Sequence, residues 1–263
     1  MERSSSNKLM TASESLHRAL QYLAAASKSF LPAKDDDSHT NVGWNSDSKN
    51  FETHPFNKGG LALALNLEVF SLDFIHPVSG IEASFPLGGA RHLDIVNWLE
   101  RERLFCKIDK DYKFELHYEL PYKKGFEDSL TYPKIKEAEL KSHIQMRWLA
   151  NKSLELASSH FDVFSDIRIW PHHFDTGAIG YQLNEKGSSF GLGLSVPDDV
   201  SDDYYFYVSK YNENESVNVS RFSKLKNGEW KFDGWNGAVL HASEKSLPGV
   251  ISFFTEAIKG YSE

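Results

Sequence analysis

Apolar positions in residues 11–30 recur at helical intervals. Leu16, Ala19, Leu20, Leu23 and Ala24 make one stripe, the small Ser27 continues it, and Pro32 closes the segment. Thr11-Ala12-Ser13-Glu14 has capping-box spacing and sets the expected start. Beyond the polar loop at 33–41, which carries Asp35-Asp36-Asp37, the period changes. A strand-like region begins near Val42-Gly43-Trp44, and residues 51–56 form another, limited by His54-Pro55. Residues 61–70 alternate large apolar side chains with small or polar ones, as a half-buried strand does, and residues 81–85 read alike. Gly88-Gly89 then breaks the chain before Leu93, Ile95, Val96, Trp98 and Leu99, which predict an amphipathic helix.

Residues 112–118 alternate and read as a strand. Pro133 suits the first turn of a helix. The pattern from Leu140 through Ile144, Trp148 and Leu149 to Leu156, Ala157 and Phe161 extends that helix to roughly thirty residues, long enough to contain a break. Strands follow at Ile167-Arg168-Ile169-Trp170, at 190–195 and at 204–209, with Trp230, Phe232 and Trp235 in the next one. Leu247, Val250, Ile251, Phe254, Ala257 and Ile258 line one face of a last helix that has Pro248 in its first turn.

This order repeats itself. Ile167–Trp170 matches Val42-Gly43-Trp44, Phe190–Ser195 matches the alternation at 61–67, and Trp235–His241 echoes Leu87–His92. The pattern predicts an α+β fold in one compact domain over residues 1–263. Two degenerate helix–β-strands–helix repeats, at about 11–105 and 133–261, are joined by a strand near 112–118 and form mostly antiparallel sheet covered by helices.

Composition narrows the function classes. A chain of 263 residues buries enough surface to need neither metal nor disulfide for its core. The formal charge is −8, with no basic run longer than Lys123-Lys124, so a nucleic-acid partner is not expected. Cys106 is the one cysteine, cannot form an internal disulfide and carries no local signature. No apolar stretch approaches the roughly 18 residues of a membrane span, and the polar Met1–Lys8 does not read as a leader. A cytoplasmic protein without a membrane partner is expected, and the sequons at Asn151, Asn214 and Asn218 read as chance matches.

The sharpest segment for chemistry is Ile169-Trp170-Pro171-His172-His173-Phe174-Asp175. If extended, it puts His173 and Asp175 on one face, with His172 opposite beside Trp170 and Phe174. That pair can reach one divalent metal ion, or the carboxylate can orient the imidazole as a base. The other reading is a strand end where Pro171 forces a turn and the histidines bond nearby backbone. A metal site needs further ligands. His241 is the candidate third beside His173 and Asp175, while Asp198, Asp199, Asp202 and Asp203 form either a carboxylate cluster or a solvated loop.

Tyr204-Tyr205-Phe206-Tyr207 puts rings on both faces of one strand, for core packing or for a pocket wall. Gly191-x-Gly193 is not followed by a helix and does not indicate a nucleotide, and Ser195 lacks a nucleophile elbow. The expected site is therefore Trp170, His172, His173, Asp175, Ser195, Asp199 and Tyr207 in the second repeat, with space above Gly191 and Gly193 for a ligand or the Trp170 ring. The first repeat offers only Trp44-Asn45-Ser46-Asp47 at the matching place. Binding of a small molecule is the expected function. The alternative is a metal-dependent hydrolase-like enzyme with His173 and Asp175 as ligands and His172 or His241 as third ligand or base.

Taken together, Trp170-Pro171-His172-His173-Phe174-Asp175, Gly191-x-Gly193-Leu194-Ser195-x-Pro197-x-Asp199 and Tyr205-x-Tyr207-Val208-Ser209 resemble a set of bacterial proteins of unassigned activity. More distantly, the two-copy layout is similar to a family known only as a domain of unknown function. The motifs span residues 167–209, and the resemblance implies co-membership without a catalytic role. This chain has Ser195-Val196-Pro197-Asp198 where that set favours Ser-Pro-Gly-Asp.

Overall fold

The structure, a computed structural model, describes residues 3–122, 125–185, 187–213, 215–243 and 246–261, with side chains from residue 12 onward. Lys123-Lys124 and Asn214 lie outside the described residues. The fold is α+β, with four α-helices and two sheets among the described residues. The chain divides into two compact units, Met1–Met146 with Trp170–His172, and Arg147–Ile169 with His173–Glu263.

The first unit runs helix, five strands, helix. Helix α1 (Arg3–Phe30) starts eight residues ahead of the expected cap at Thr11, because no Gly or Pro precedes it to stop the helix. Glu14, expected in the capping box, pairs with Arg18 at 2.9 Å instead. From Ala12 to Ser27 the helix is buried almost all round rather than along one stripe. Its polar residues consequently have partners inside. His17 Nε2 and Gln21 Nε2 reach the Pro171 carbonyl at 2.7 and 2.8 Å, and His17 Nδ1 lies 2.7 Å from the Tyr122 hydroxyl.

Strands β1 (Gly43–Asn45), β2 (Asn50–Glu52), β3 (Ala62–Asn66), β4 (Ser71–His76) and β5 (Gly80–Pro86) pair in chain order as an antiparallel meander. The single strand expected at 61–70 is thus two. Asn66 Oδ1 accepts from the Glu68 and Val69 N–H groups at 2.8 and 3.3 Å and closes a turn that ends on Phe70 at φ +53°. Helix α2 (His92–Phe105) contacts β5, and its Trp98 packs on Phe74 and Phe85.

The strand expected at 112–118 does not form. That stretch finds no strand partner and instead runs along the end of α1. The Lys113 N–H donates to Ser29 Oγ at 3.0 Å, and the Tyr112 N–H donates to Glu100 Oε2 at 2.7 Å. Alternation alone makes no strand without a neighbour to complete the ladder.

Helix α3 (Glu137–Ala157) is shorter than expected and ends in a 3-10 turn at Ser158–His160. Its buried face is Leu140, His143, Arg147, Ala150, Leu154 and Ala157, whereas Trp148 and Leu156 are exposed. Asn151 is buried there and donates to the Arg147 carbonyl at 3.3 Å.

Strands of the second unit follow: β6 (Val163–Phe164), β7 (Arg168–Trp170), β8 (Asp175–Tyr181), β9 (Ser188–Ser195), β10 (Tyr205–Asn212), β11 (Glu215–Ser216), β12 (Glu229–Lys231) and β13 (Gly237–His241). The sheet order is β12-β13-β10-β9-β8-β6, with β11 beside β10 and β7 beside β8. Residues 237–241 are therefore a strand, while their supposed echo at 87–92 is a turn entering α2. Helix α4 (Leu247–Gly260) covers β10 and β13, burying Phe253, Phe254 and Ile258 against Phe206, Val208 and Leu240. One sheet face is thereby an apolar core, and the period-two alternation leaves glycine, serine and tyrosine for the other.

Candidate functional site

Pro171–Phe174 is a turn, not an extended segment, so the expected two-faced arrangement of the histidines does not arise. Phe174 takes φ +60° with its ring fully buried. Arg147 holds it there. One guanidinium nitrogen donates to the Phe174 carbonyl at 2.8 Å, another to Thr176 Oγ1 at 2.6 Å, and the charge sits 4.2 Å from the Phe174 ring centroid. Burial pulls the Arg147 pKa down to about 10. The chain leaves this turn directly into β8, which starts at Asp175.

The turn separates the expected residues. Trp170 and His172 go with the first unit, where the His172 ring lies 5.6 Å from Tyr118 and 6.0 Å from Trp170. His173 is exposed, and its charge acts on Asp175.

Asp175, Ser195, Tyr205 and His241 lie abreast on β8, β9, β10 and β13, so their side chains share the polar face. Three strand spacings put His241 about 14 Å from Asp175, too far for a shared metal ion. His241 Nδ1 bonds Ser201 Oγ at 3.1 Å instead. His173, Asp175 and His241 are thus not brought together, and among the described residues no group of three or more His, Cys, Asp or Glu could hold a metal ion.

Asp175 and Tyr207 do meet. The Tyr207 hydroxyl donates to Asp175 Oδ2 at 3.2 Å, crossing β9 to do so. A Cβ on Gly193 would lie 2.7 Å from the Tyr207 ring, and one on Gly177 would lie 2.9 Å from its hydroxyl. The space expected above Gly193 is accordingly filled by Tyr207, not by a ligand or Trp170. Alongside it, the Tyr205 hydroxyl donates to Asp198 Oδ2 at 2.8 Å, and Ser195 Oγ lies 3.4 Å from the same oxygen. Asp198 and Asp199 are both exposed, and Asp198 is the one that bonds Tyr205 and Ser195.

Asp175 is half-buried, and burial of its carboxyl raises its pKa above the ordinary carboxylate value, against His173, the Tyr207 hydrogen bond and its own backbone N–H. Its Oδ1 is shut off from solvent and has no hydrogen-bond partner among the described residues. Burial also raises the Tyr207 and Tyr205 hydroxyls, which stay protonated as donors. Trp235 stands edge-on to Tyr207, with ring centroids 6.3 Å apart and planes at 88°.

Arg147 is the residue that sequence reasoning missed. The available signal was a charged side chain three or four residues from Leu140, His143, Ala150 and Leu154, inside what becomes the buried stripe. Compared with known proteins, the chain matches no family model, and no curated protein or solved structure matches it at a significant level.

Proposed function

We propose that the second unit binds a small polar ligand at the Asp175–Tyr207 pair, with Tyr205, Ser195 and Asp198 along its rim. The observation that carries this reading is Asp175 Oδ1, a buried carboxylate oxygen without a donor. Leaving such a group unpaired costs about 1–3 kcal/mol. A carboxyl with a perturbed pKa, aligned with two tyrosine hydroxyls, is the kind of group that binding sites retain at the expense of stability. A ligand whose binding opens the strand end and brings an N–H or O–H to Oδ1 recovers that energy. The hydrolase alternative lacks comparable support, because His241 is committed to Ser201 three strands away. A cytoplasmic setting, no nucleic-acid partner and membership of the Trp-Pro-His-His-Phe-Asp set belong to the same reading, on the single cysteine, the charge of −8 and the motif.

The test is a thermal-shift screen of small polar compounds on the full chain and on Asp175→Asn. Compounds that raise the melting temperature of the native chain and lose that effect in the variant support the reading. Hits that stabilise both proteins equally would place binding elsewhere and sink it.

A further inference from the structure

We infer that a cleft in the first unit, beside the C-terminal end of α2 and the ends of β3, β4 and β5, binds a small aminocarboxylate. Its ammonium group sits on the carboxylates of Glu82 and Glu102, and its carboxylate sits on Asn57 and His76. This site is separate from the Asp175 pair. The cleft holds about 330 Å3, at the lower end of small-ligand sites, and every residue lining it belongs to the first unit.

One wall donates. Asn57 Oδ1 accepts from the Gly59 and Leu61 N–H groups at 2.9 and 3.3 Å, so its NH2 group remains for a ligand. His76 Nδ1 accepts from the Val78 N–H at 3.2 Å, which puts the ring hydrogen of the neutral imidazole on Nε2. A Cβ on Gly59 would lie 3.2 Å from Asn57 Oδ1 and 3.3 Å from His76 Nε2, so the two groups stand together. Lys107, which follows α2 at φ +58°, adds a positive charge to the lining.

The other wall accepts. The β4–β5 register slips at Glu82, with Phe74 opposite Ala83 and Ile75 opposite Ile81. That bulge brings Glu82 and Ala83 into one cleft, where strict alternation would part them. Ser79 Oγ donates to Glu82 Oε1, and Arg101 donates twice to Glu102 Oε1, at 2.7 and 3.0 Å. Oε2 of each carboxylate is left for a ligand. Burial, then the charges of Glu102 and Glu82, push the Cys106 thiol up to about 11, which places both carboxylates near its sulfur. The negative end of the α2 dipole favours a cation at the same end of the cleft.

Walls of opposite demand suit a ligand charged at both ends. An anion alone would meet Glu82 and Glu102, and a cation alone would leave the Asn57 and His76 donors unused. Leu61, Ala83 and the Phe105 ring supply apolar contact for the body of the ligand. A metal ion does not fit, since among the described residues no group of three or more His, Cys, Asp or Glu could hold one.

The probes are leucine and 6-aminohexanoate, which separate the two charges by different lengths, with leucinamide and N-acetylleucine as single-charge controls. Each is titrated calorimetrically into the full chain, and labelling of Cys106, the one cysteine, by N-ethylmaleimide reports where it binds. At least one zwitterion is expected to bind saturably and to slow labelling several-fold, with both controls weaker by about tenfold or more. Glu102→Gln is expected to weaken binding about tenfold, and His76→Asn, which keeps an acceptor for the Val78 N–H, several-fold. Should Glu102→Gln fold poorly, the exposed Glu82→Gln decides the matter by the same loss. Asp175→Asn, in the second unit, should bind as the native chain does, and compounds that protect Cys106 are set aside from the Asp175 screen, so the two readings fail separately. A control that binds as tightly as the zwitterions overturns the ligand class, because one wall then suffices. Binding that leaves Cys106 labelling unchanged, or that the variants of Glu102, Glu82 and His76 do not weaken, overturns the cleft as the site. So does the absence of binding by both zwitterions.

Discussion

Tyr207 reaches Asp175 across an intervening strand, its hydroxyl 3.2 Å from Oδ2, because Gly193 and Gly177 leave no side chains in the way. The glycines of β9 are thus part of a polar contact and not of an empty groove. That relationship makes the pair sensitive to changes that add a single carbon.

Gly193→Ala is the sharpest such change. Its Cβ would sit 2.3 Å from the Thr176 carbonyl and 2.7 Å from the Tyr207 ring, so backbone and ring must both move. A loss of about 3 kcal/mol in urea unfolding is expected, in the overpacking range. Gly125→Ala, where a Cβ meets nothing within 4 Å, is the control and should change stability by less than about 1 kcal/mol.

Arg147→Met removes the donors for the Phe174 carbonyl and Thr176 Oγ1 while roughly keeping volume. Two buried acceptors lose their charged partner, and Phe174 loses the group that stabilises its left-handed backbone. A cost of about 3 kcal/mol is expected. Arg147→Lys should recover only part of it, because an ammonium cannot span both acceptors as the planar fork does. Denaturant midpoints of the two variants check this, and equal stability to the native chain would refute the anchoring role.

Much of this was legible from local pattern. Strand β9 shows its two faces openly, Phe190, Leu192 and Leu194 against Gly191, Gly193 and Ser195, and the sequence names Asp175 and Tyr207, which the fold brings into contact. What escaped depends on partners distant in sequence. Residues 112–118 alternate like a strand but find only the end of α1, and the turn at Asn66 uses a side-chain cap where no Gly or Pro marks it. The histidine pair was misleading for a related reason. Alternation applies to extended chain, and Pro171–Phe174 turns, sending His172 to one unit and His173 to the other.

The raised pKa of Asp175 gives a signed prediction. Its ionised form is disfavoured in the folded state, so its contribution is favourable at low pH and is lost as pH rises through the folded value. Asp175→Asn, uncharged and similar in shape, should therefore stabilise the protein at neutral pH by about 1 kcal/mol, or about 2–4 °C in melting temperature. The gain should shrink as the pH falls toward the ordinary carboxyl value of 3.8. Calorimetry across that range tests it, and a variant less stable than the native chain at neutral pH would show that the carboxylate is structural.

Asn50 supplies the mirror experiment. It opens β2 directly after Lys49 at φ +53°, as Asp175 opens β8 directly after Phe174 at φ +60°, and its Oδ1 is likewise buried without a partner. The two positions share a backbone setting and differ in charge. Asn50→Asp would bury a carboxylate two residues from Glu52 on the same strand face, at an oxygen that no described residue hydrogen-bonds. A loss of about 2 kcal/mol at neutral pH is expected from desolvation and like-charge repulsion. The sign with pH follows from a raised folded pKa, so stability should return as acid protonates the new carboxyl. Urea unfolding at neutral and acidic pH measures both parts. If Asn50→Asp is tolerated without cost at neutral pH, burial at this strand position is too weak to perturb a carboxyl, and the same setting cannot explain the raised pKa of Asp175.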